Sequence, residues 1–360
     1  MSSDKVKRWV RPDVLAATAY HVQDAAGLIK LDAMENPYAW PEDVKQGWLR
    51  CLAEAELNRY PSPDAAELKA KLRAVFALPD DTGLLLGNGS DEIIQIIALA
   101  MAAENALFLT PEPSFVMYEV IAGAVQGRFR GVPLRQDFSL DGAAMLEAIR
   151  KFQPAAVFLA YPNNPTANLF DDEVIVEIIR QAPGIVVVDE AYHVFAGKSF
   201  LPKIPDYDNL LVMRTLSKLG LAGLRLGLLA GPENWLREFD KIRLPYNINS
   251  LTQMSAAFIL DHIDVLLEQA GKIRRDRELL YAALQAMPGI RVWPSSANFL
   301  LFSTEPADSN QVFRKLKKAG ILVKNLNHSH PLVRGCLRVT VGTESENQAF
   351  LAALGNILQR

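Results

Sequence analysis

From Gly83 onward, the sequence alternates short, continuous apolar runs with longer segments of helical pattern. The runs are TGLLLGNGS, ALFLTPEPS, AAVFLAYPNNP, GIVVVDEAY, NLLVMRTLSK and LRLGLLAGP. Strands that are apolar throughout, rather than at every second residue, are typical of a parallel sheet covered by helices on both faces. The sequence therefore predicts an α/β fold with a mostly parallel central sheet.

Polar residues follow four of these runs at the point where each predicted strand ends. They are Asn88 and Ser90, Asn163 and Asn164, Asp189 and Tyr192, and Ser217 and Lys218. Ligands of open α/β sheets bind beyond the carboxyl ends of the strands. We therefore expect these four clusters to converge on one site.

The pattern changes after the segment PYNINSLTQ. A helical stretch, GKIRRDRELLYAALQAM, leads to two strand-like pieces, ANFLLFST and GCLRVTVGT, which are separated by the helical QVFRKLKKAG. This order predicts a smaller α+β domain. We expect residues 1–40 to form an N-terminal segment that partly joins this small domain, residues 41–250 the large domain, and residues 251–360 the small one.

The charge balance and the cysteine count narrow the functional classes. The 38 basic and 41 acidic residues of the 360 give a net charge of -3 and form no long blocks, so nucleic acid and membrane surfaces are not expected partners. Two cysteines are too few for a disulfide framework. No apolar leader or membrane-spanning stretch is visible. We expect a cytoplasmic protein that acts on small molecules.

Lys218 lies in TLSKLGLAGLRLG, a run of mostly small or apolar residues with Arg225 seven positions later. A buried, unpaired ammonium is costly, so such a lysine tends to lose its proton or to find a partner. Its stem could also cover apolar neighbours while its amine reaches water. The turn GNGSDE, between a strand and a helix, suits a phosphate, but it could equally be an ordinary capped helix.

The other strand-end residues also have two interpretations. Asn164 could make turn hydrogen bonds or donate its amide to a ligand. Asp189 could cap a helix or form an ion pair, or it could be the counter-ion of a protonated ring nitrogen. His328 and His330 lack a third ligand at suitable spacing, which favours a solvated loop over a metal site. Taken together, a lysine that can form a Schiff base and an acid that can face a pyridine nitrogen are what pyridoxal phosphate requires.

The chain resembles a known family from about Tyr20 to its end, and a series of short motifs carries this resemblance. They are MENPY, NRYPSP, GNGSDEIIQ, PEPSFVMY, YPNNPT, VVVDEAY, RTLSKLGLAGLRLG, SANFLL and GCLRVTVGT. In this order they resemble the fold-type I pyridoxal phosphate-dependent aminotransferases and, within them, the histidinol-phosphate aminotransferases. The resemblance implies a large domain with a mostly parallel seven-stranded sheet between helices, plus a smaller α+β domain.

The resemblance also implies a role for each residue around the cofactor ring. Lys218 would form the Schiff base and move the proton at the substrate, and Asp189 would keep the ring nitrogen protonated. Asn164 and Tyr192 would hydrogen-bond the phenolic oxygen, and Phe115 would stack on the ring. The catalytic residues would therefore be Lys218, Asp189 and Tyr192.

By the same resemblance, the cofactor phosphate would contact the backbone amides of Ser90 and Asp91, the hydroxyls of Thr215 and Ser217, and the Arg225 guanidinium. Tyr60 would cross to the phosphate of a neighbouring subunit, which implies a homodimer. Arg338, Tyr20, Asn36 and Lys324 would contact the substrate.

The implied reaction moves an amino group between L-histidinol phosphate and 2-oxoglutarate in histidine biosynthesis, with glutamate using the same pocket. An aromatic amino acid transaminase and a threonine-phosphate decarboxylase are alternatives on the same scaffold. A pyridoxal phosphate-sensing regulator would need a winged-helix domain, for which the chain has no room.

Three positions depart from the usual pattern of the family. Phe115 stands where tyrosine is common, which keeps the ring but removes a hydroxyl. Ala167 stands where glycine is commoner, so we expect a different backbone conformation in that turn. The spacing from Lys218 to Arg225 is one residue shorter than in some relatives, a difference that falls in the phosphate loop.

Overall fold

The structure is a computed structural model that describes residues 2–19, 23–104 and 106–359. At its centre is a seven-stranded sheet with the strand order β2-β8-β7-β6-β5-β3-β4. Strands β3 to β7 run parallel, and β8 is antiparallel to both of its neighbours, β2 and β7. The predicted mostly parallel α/β sheet is therefore confirmed. The strands are β1 (Ile29–Lys30), β2 (Thr82–Gly87), β3 (Leu107–Glu112), β4 (Arg128–Pro133), β5 (Ala156–Ala160), β6 (Ile185–Asp189), β7 (Leu210–Thr215), β8 (Gly227–Pro232), β9 (Arg291–Val292), β10 (Phe299–Ser303), β11 (Ile321–Leu322), β12 (Lys324–Asn325) and β13 (Cys336–Thr340).

Helices cover both faces of this sheet and surround a second, smaller sheet. Several begin at a side-chain cap: Asp141 accepts the amide of Ala144, and Thr343 forms a reciprocal capping box with Glu346. The helices are α1 (Ser2–Trp9), α2 (Pro12–Ala16), α3 (Glu42–Ala53), α4 (Ala66–Val75), α5 (Gly89–Met101), α6 (Met117–Ala124), α7 (Gly142–Phe152), α8 (Asp172–Gln181), α9 (His193–Ala196), α10 (Glu233–Asp240), α11 (Ser250–Leu260), α12 (Ile263–Gln285), α13 (Ser309–Lys318) and α14 (Glu344–Leu358).

Alternate residues of the central strands enter two separate hydrophobic cores. In β6, Val186 and Val188 pack into one core, whereas Ile185 and Val187 pack into the core on the other face. All of β5, β6 and β7 is buried. This explains the continuous apolar runs, because side chains on both faces of a fully covered strand must be apolar.

The C-terminal part of the chain builds a four-stranded antiparallel sheet, β12-β13-β10-β9, around a third hydrophobic core. Strand β1, from the N-terminal segment, pairs in parallel with β11 of this region. The domain boundaries at residues 40 and 250 stay a prediction. Within the described residues, no helix is long and apolar enough to cross a membrane.

Candidate active site

A cavity of about 380 Å³ lies at the carboxyl-terminal edge of the central sheet, beyond β2, β5, β6 and β7. The N-terminal segment closes one side of it through Ala33, Met34 and Glu35. Each of the four strand-end clusters contributes at least one residue to this cavity, together with residues that only the family resemblance suggested, but Asn88 and Asn163 do not line it. The sequence-predicted residues in its wall are Ser90, Asp91, Phe115, Asn164, Asp189, Tyr192, Thr215, Ser217, Lys218 and Arg225.

Lys218 enters the cavity from a turn of π-helix, Ser217–Leu221, that follows β7 directly. Gly220 within this turn has a φ of 129°, which a residue with a side chain rarely adopts. The Lys218 Nζ donates a hydrogen bond of 3.0 Å to the carbonyl oxygen of Ala33. Burial and, second, the charge of Arg338 lower the pKa of Lys218 to about 8. Near neutral pH, a larger fraction of this lysine than of an ordinary lysine is therefore neutral and able to accept a proton.

Asp189 ends β6 with its side chain buried, and it accepts one hydrogen bond on each carboxylate oxygen. Tyr118 donates its hydroxyl to Oδ2 at 2.6 Å, and the Ala191 amide donates to Oδ1 at 3.1 Å. Burial raises the pKa of Asp189 to about 6, while these two donors act in the opposite direction. Tyr118 was missed in the sequence, although it lies three residues after Phe115 in PSFVMY.

Asn164 and Tyr192 offer two hydrogen-bond donors to the cavity. The Asn164 Oδ1 accepts a bond of 2.5 Å from Arg338 Nη1, which leaves the Nδ2 amino group as a donor. Tyr192 packs edge-on against Phe299 with ring centroids 5.2 Å apart. Burial raises the pKa of Tyr192, so its hydroxyl stays protonated.

At the other end of the cavity, the first turn of α5 packs closely against β8. A Cβ atom on Gly227 would lie 2.7 Å from the Gly89 carbonyl carbon, and a Cβ on Gly89 would lie 2.6 Å from Arg225 Nη2. The Thr215 and Ser217 hydroxyls are 2.9 Å apart on the facing turn. Backbone amides at a helix start, two hydroxyls and a guanidinium form a cradle for a phosphate.

Asp91 stands at the rim of this cradle, where its carboxylate lies 3.7 Å from Arg225 Nη2. Burial raises the pKa of Asp91, and Arg225 lowers it. Its Oδ1 atom is buried without a hydrogen-bond partner in the described part of the chain.

A second cavity of about 460 Å³ adjoins the first and shares Met34, Phe115 and Asn164 with it. Lys324 and Arg338 line this cavity and are direct partners across the β12–β13 ladder. Arg338 also donates to the Asp32 carbonyl at 2.9 Å. Burial and the neighbouring Arg338 charge lower the pKa of Lys324. Two cations side by side favour an anionic ligand.

The second cavity also contains residues that were not assigned to a site in the sequence: Glu112, Glu119, His328 and His330. His330 accepts the Leu332 amide on Nδ1 at 3.2 Å. No group of residues suited to a metal occurs within the described ranges.

Two predicted residues lie elsewhere, and a third falls outside the described residues. The Asn36 amide bridges the Leu219 carbonyl and the Gln269 side chain, and Asn36 lines neither cavity. Tyr60 is 80% exposed and stacks on Tyr246 at 4.5 Å between ring centroids, away from the site of its own chain. Tyr20 lies outside the described residues. Their predicted roles stay predictions.

The turn at Ala167 has a backbone conformation that is uncommon for alanine. Ala167 has a φ of 64°, in the left-handed region that favours glycine. Its amide donates to the Asn163 carbonyl at 2.8 Å, and its carbonyl accepts from Ser296 at 2.8 Å. These two bonds hold the alanine in a conformation that glycine adopts more readily.

The sequence matches the family profile of aminotransferase class I and II over residues 26–354. The chain belongs to this family. A histidinol-phosphate aminotransferase 2 from Nitrosococcus oceani is 54% identical to this aminotransferase over 98% of both chains. A histidinol-phosphate aminotransferase 1 from Ralstonia nicotianae is 52% identical over 99% of this chain and 96% of the relative. A further similarity is to the crystal structure of the histidinol-phosphate aminotransferase from Sinorhizobium meliloti in complex with pyridoxal 5'-phosphate. The two structures match over 98% of each chain with a TM-score of 0.86 and 23% sequence identity, so they share the same fold.

The site of this aminotransferase fits pyridoxal phosphate, the cofactor of the family. The first turn of α5, the Thr215 and Ser217 hydroxyls and the Arg225 guanidinium match the phosphate, and the buried Asp189 matches a ring nitrogen. Lys218 lies between them with a lowered pKa, as an amine that attacks an aldehyde needs. The predicted family, fold class, transaminase activity and cofactor are confirmed.

Proposed function

We propose that this aminotransferase transfers an amino group between L-histidinol phosphate and 2-oxoglutarate, giving imidazole acetol phosphate and L-glutamate, in histidine biosynthesis. The names of the two relatives that are more than 50% identical support this assignment. The structural observation that carries it is the pair of cations, Lys324 and Arg338, in the wall of the cavity next to the cofactor site.

The pair favours a phosphate over a carboxylate. A phosphate monoester carries between one and two negative charges at neutral pH, because its second pKa is about 6. A single guanidinium can bind a carboxylate through its two parallel N–H groups. A second cation directly across the ladder is therefore better matched to the greater charge of a phosphate.

Several side chains would hold the cofactor. Lys218 would bind its aldehyde carbon covalently, Phe115 would cover one face of the ring, and Asp189 would accept the N–H of the ring nitrogen. Asn164 Nδ2 and the Tyr192 hydroxyl would donate to its phenolic oxygen. When bound, pyridoxal phosphate supplies an electron sink for negative charge at the substrate α-carbon.

Lys218 is the residue that would move the proton at the substrate α-carbon. With a pKa of about 8, roughly half of the Lys218 amines are neutral at pH 8, compared with about 0.3% for a lysine of ordinary pKa. The neutral amine can still donate to the Ala33 carbonyl while its lone pair accepts a proton.

The reaction can be tested by its products. Purified protein with pyridoxal phosphate, histidinol phosphate and 2-oxoglutarate should release glutamate. Faster turnover of phenylalanine or tyrosine would instead identify an aromatic amino acid transaminase. Release of carbon dioxide and an amine from threonine phosphate, without glutamate, would identify a decarboxylase and contradict the proposal.

The role of the cation pair can be tested with Lys324→Met. A hydrogen bond to a charged group contributes about 1.5–3 kcal/mol, so we expect the KM for histidinol phosphate to rise roughly 10- to 100-fold. The advantage of histidinol phosphate over histidinol, which lacks the phosphate, should shrink by the same factor. Lys318→Met, on the exposed side of α13, is the matched control. An unchanged preference for the phosphorylated substrate would exclude Lys324 from the phosphate site.

We also propose a cytoplasmic homodimer in which Tyr60 reaches the cofactor phosphate of the partner subunit. The support is an exposed apolar surface around the stacked Tyr60 and Tyr246 rings. It includes Leu57, which is 70% exposed, and Leu244, which is 72% exposed. Exposed apolar side chains that cluster in this way often mark a protein interface.

A further inference from the structure

Tyr118 connects two residues that are expected to contact the cofactor ring. Its hydroxyl donates to Asp189 Oδ2 at 2.6 Å, and its ring packs edge-on against Phe115 with centroids 5.5 Å apart. On its other side, the Tyr118 ring stacks on Phe158 of β5 at 4.9 Å and 15°. Tyr118 is only 1% exposed, so its position is determined by packing.

We propose that Tyr118 is a positioning residue of the cofactor site: its hydroxyl orients the Asp189 carboxylate toward the ring nitrogen, and its ring fixes Phe115 over the ring face. This proposal rests on the assignment of Asp189 to the ring nitrogen made above. Tyr118 acts through these two neighbours and lines neither cavity.

The hydrogen-bond geometry explains why a donor is needed at Oδ2. The Ala191 amide donates to Oδ1 and the Tyr118 hydroxyl donates to Oδ2, so each carboxylate oxygen has one donor from the protein. A carboxylate held at both oxygens cannot rotate about its last bond, and each oxygen keeps a lone pair for the ring nitrogen. Without the hydroxyl, the carboxylate would be held by the backbone amide alone.

The same hydroxyl favours the ionised carboxylate. Burial raises the pKa of Asp189, and the nearby charges of Asp91 and Glu190 raise it further, whereas Tyr118 and the Ala191 amide lower it. The same cavity is also lined by Glu35, Tyr192, Lys218 and Arg225. Removal of the Tyr118 hydroxyl should therefore leave more of Asp189 protonated, and the effect should be larger at pH 6 than at pH 8.

The test is the dissociation constant of pyridoxal phosphate, measured by titrating the apoprotein, for Tyr118→Phe. This variant keeps the ring and removes only the hydroxyl. Because Asp189 is then less well oriented and more often protonated, we expect affinity to fall roughly tenfold at pH 6, as for a rise of about one pKa unit, and less at pH 8. An analogue of the cofactor with carbon in place of the ring nitrogen should bind the variant and the wild type equally.

Tyr161→Phe is the matched control, because the Tyr161 hydroxyl donates to the Asp172 carboxylate at 2.5 Å and Tyr161 is also 1% exposed. Thermal unfolding of both apoproteins reports any general loss of stability. The positioning role is overturned if Tyr118→Phe binds the cofactor as tightly as the wild type across pH 6–8. It is equally overturned if the control loses as much affinity, or if the carbon analogue loses affinity to the same extent.

Asp189→Asn separates this proposal from the assignment on which it rests. If Asp189 contacts the ring nitrogen, this variant should weaken binding of pyridoxal phosphate but not of the carbon analogue. Normal binding by Asp189→Asn would contradict the assignment of Asp189 itself. Weak binding by Asp189→Asn together with normal binding by Tyr118→Phe would contradict only the role of Tyr118.

Discussion

The buried ion pair between Glu190 and Arg214 allows a prediction about stability. Arg214 lies near the end of β7, and Glu190 follows the last residue of β6. The guanidinium donates to Glu190 Oε2 from both Nε, at 2.9 Å, and Nη2, at 2.7 Å. Glu190 is fully buried and Arg214 is 5% exposed. The pair therefore joins the ends of the two strands that present Asp189 and Lys218.

Three further residues contact the pair. Ser199 donates to Glu190 Oε2 and accepts from Arg214 Nη2, each at 2.9 Å. The Phe200 amide donates to Glu190 Oε1 at 2.5 Å. The guanidinium lies over the Phe76 ring, 5.0 Å from its centroid. Because Glu190 is fully buried and Arg214 nearly so, a charge left alone here has little water to replace the lost partner.

We expect Glu190→Gln and Arg214→Met each to lower the free energy of unfolding by about 3–5 kcal/mol, the usual cost of leaving one member of a buried pair uncompensated. For a chain of 360 residues, an unfolding entropy of about 2.1 cal/mol/K per residue converts this into a fall of roughly 4–7 °C in Tm. The double variant should lose less than the sum of the two single losses, because it leaves no unpaired charge.

Urea and thermal unfolding of the apoproteins measure these changes. Glu238→Gln, which breaks an exposed ion pair with Lys241 of 2.6 Å, is the control and should have no measurable effect. Wild-type stability of Glu190→Gln, or strictly additive losses in the double variant, would refute the reasoning that the two charges depend on each other.

Two other predictions concern the lysine and the subunit interface. The pKa of Lys218 is lowered to about 8 in the folded protein, so between about pH 8 and 10.5 the unfolded apoprotein binds more protons than the folded one. The free energy of unfolding of the apoprotein should therefore fall by up to about 3 kcal/mol as the pH is lowered through this range. Lys218→Met should remove that slope and Lys318→Met should keep it; equal slopes in all three proteins would contradict the lowered pKa. Tyr60→Phe should leave the dimer intact in sedimentation experiments but weaken pyridoxal phosphate binding about tenfold, through loss of one donor to the phosphate. A monomeric wild type at micromolar concentration, or unchanged cofactor affinity of the variant, would argue against this role.

Local sequence patterns were sufficient to predict the central sheet. The runs GIVVVD and LLVMRT are apolar on both faces because helices cover both, and this burial is visible in the residues themselves. The positions of Asp189 and Lys218 at one sheet edge follow from the parallel order of β6 and β7. Such features depend on neighbours in sequence, so they can be predicted without a structure.

Contacts between distant segments were not predictable in this way. Asn164 receives its hydrogen bond from Arg338, 174 residues away, and Lys218 donates to Ala33, 185 residues away. The motifs suggested that these segments meet at one site but not which atoms pair. Asn36 illustrates the difference, because its motif gave no indication that its amide is bonded to Leu219 and Gln269.

Arg338 links the two cavities electrostatically as well as by contact. Its charge lowers the pKa of Lys218 on one side and that of Lys324 on the other. An anion bound between Arg338 and Lys324 would offset this positive charge, and the pKa of the free Lys218 amine would then rise. A bound substrate phosphate would thus make Lys218 a stronger base at the moment when a proton must be taken from the α-carbon. Such coupling needs no movement of the chain, since it follows from the position of Arg338 between the two lysines.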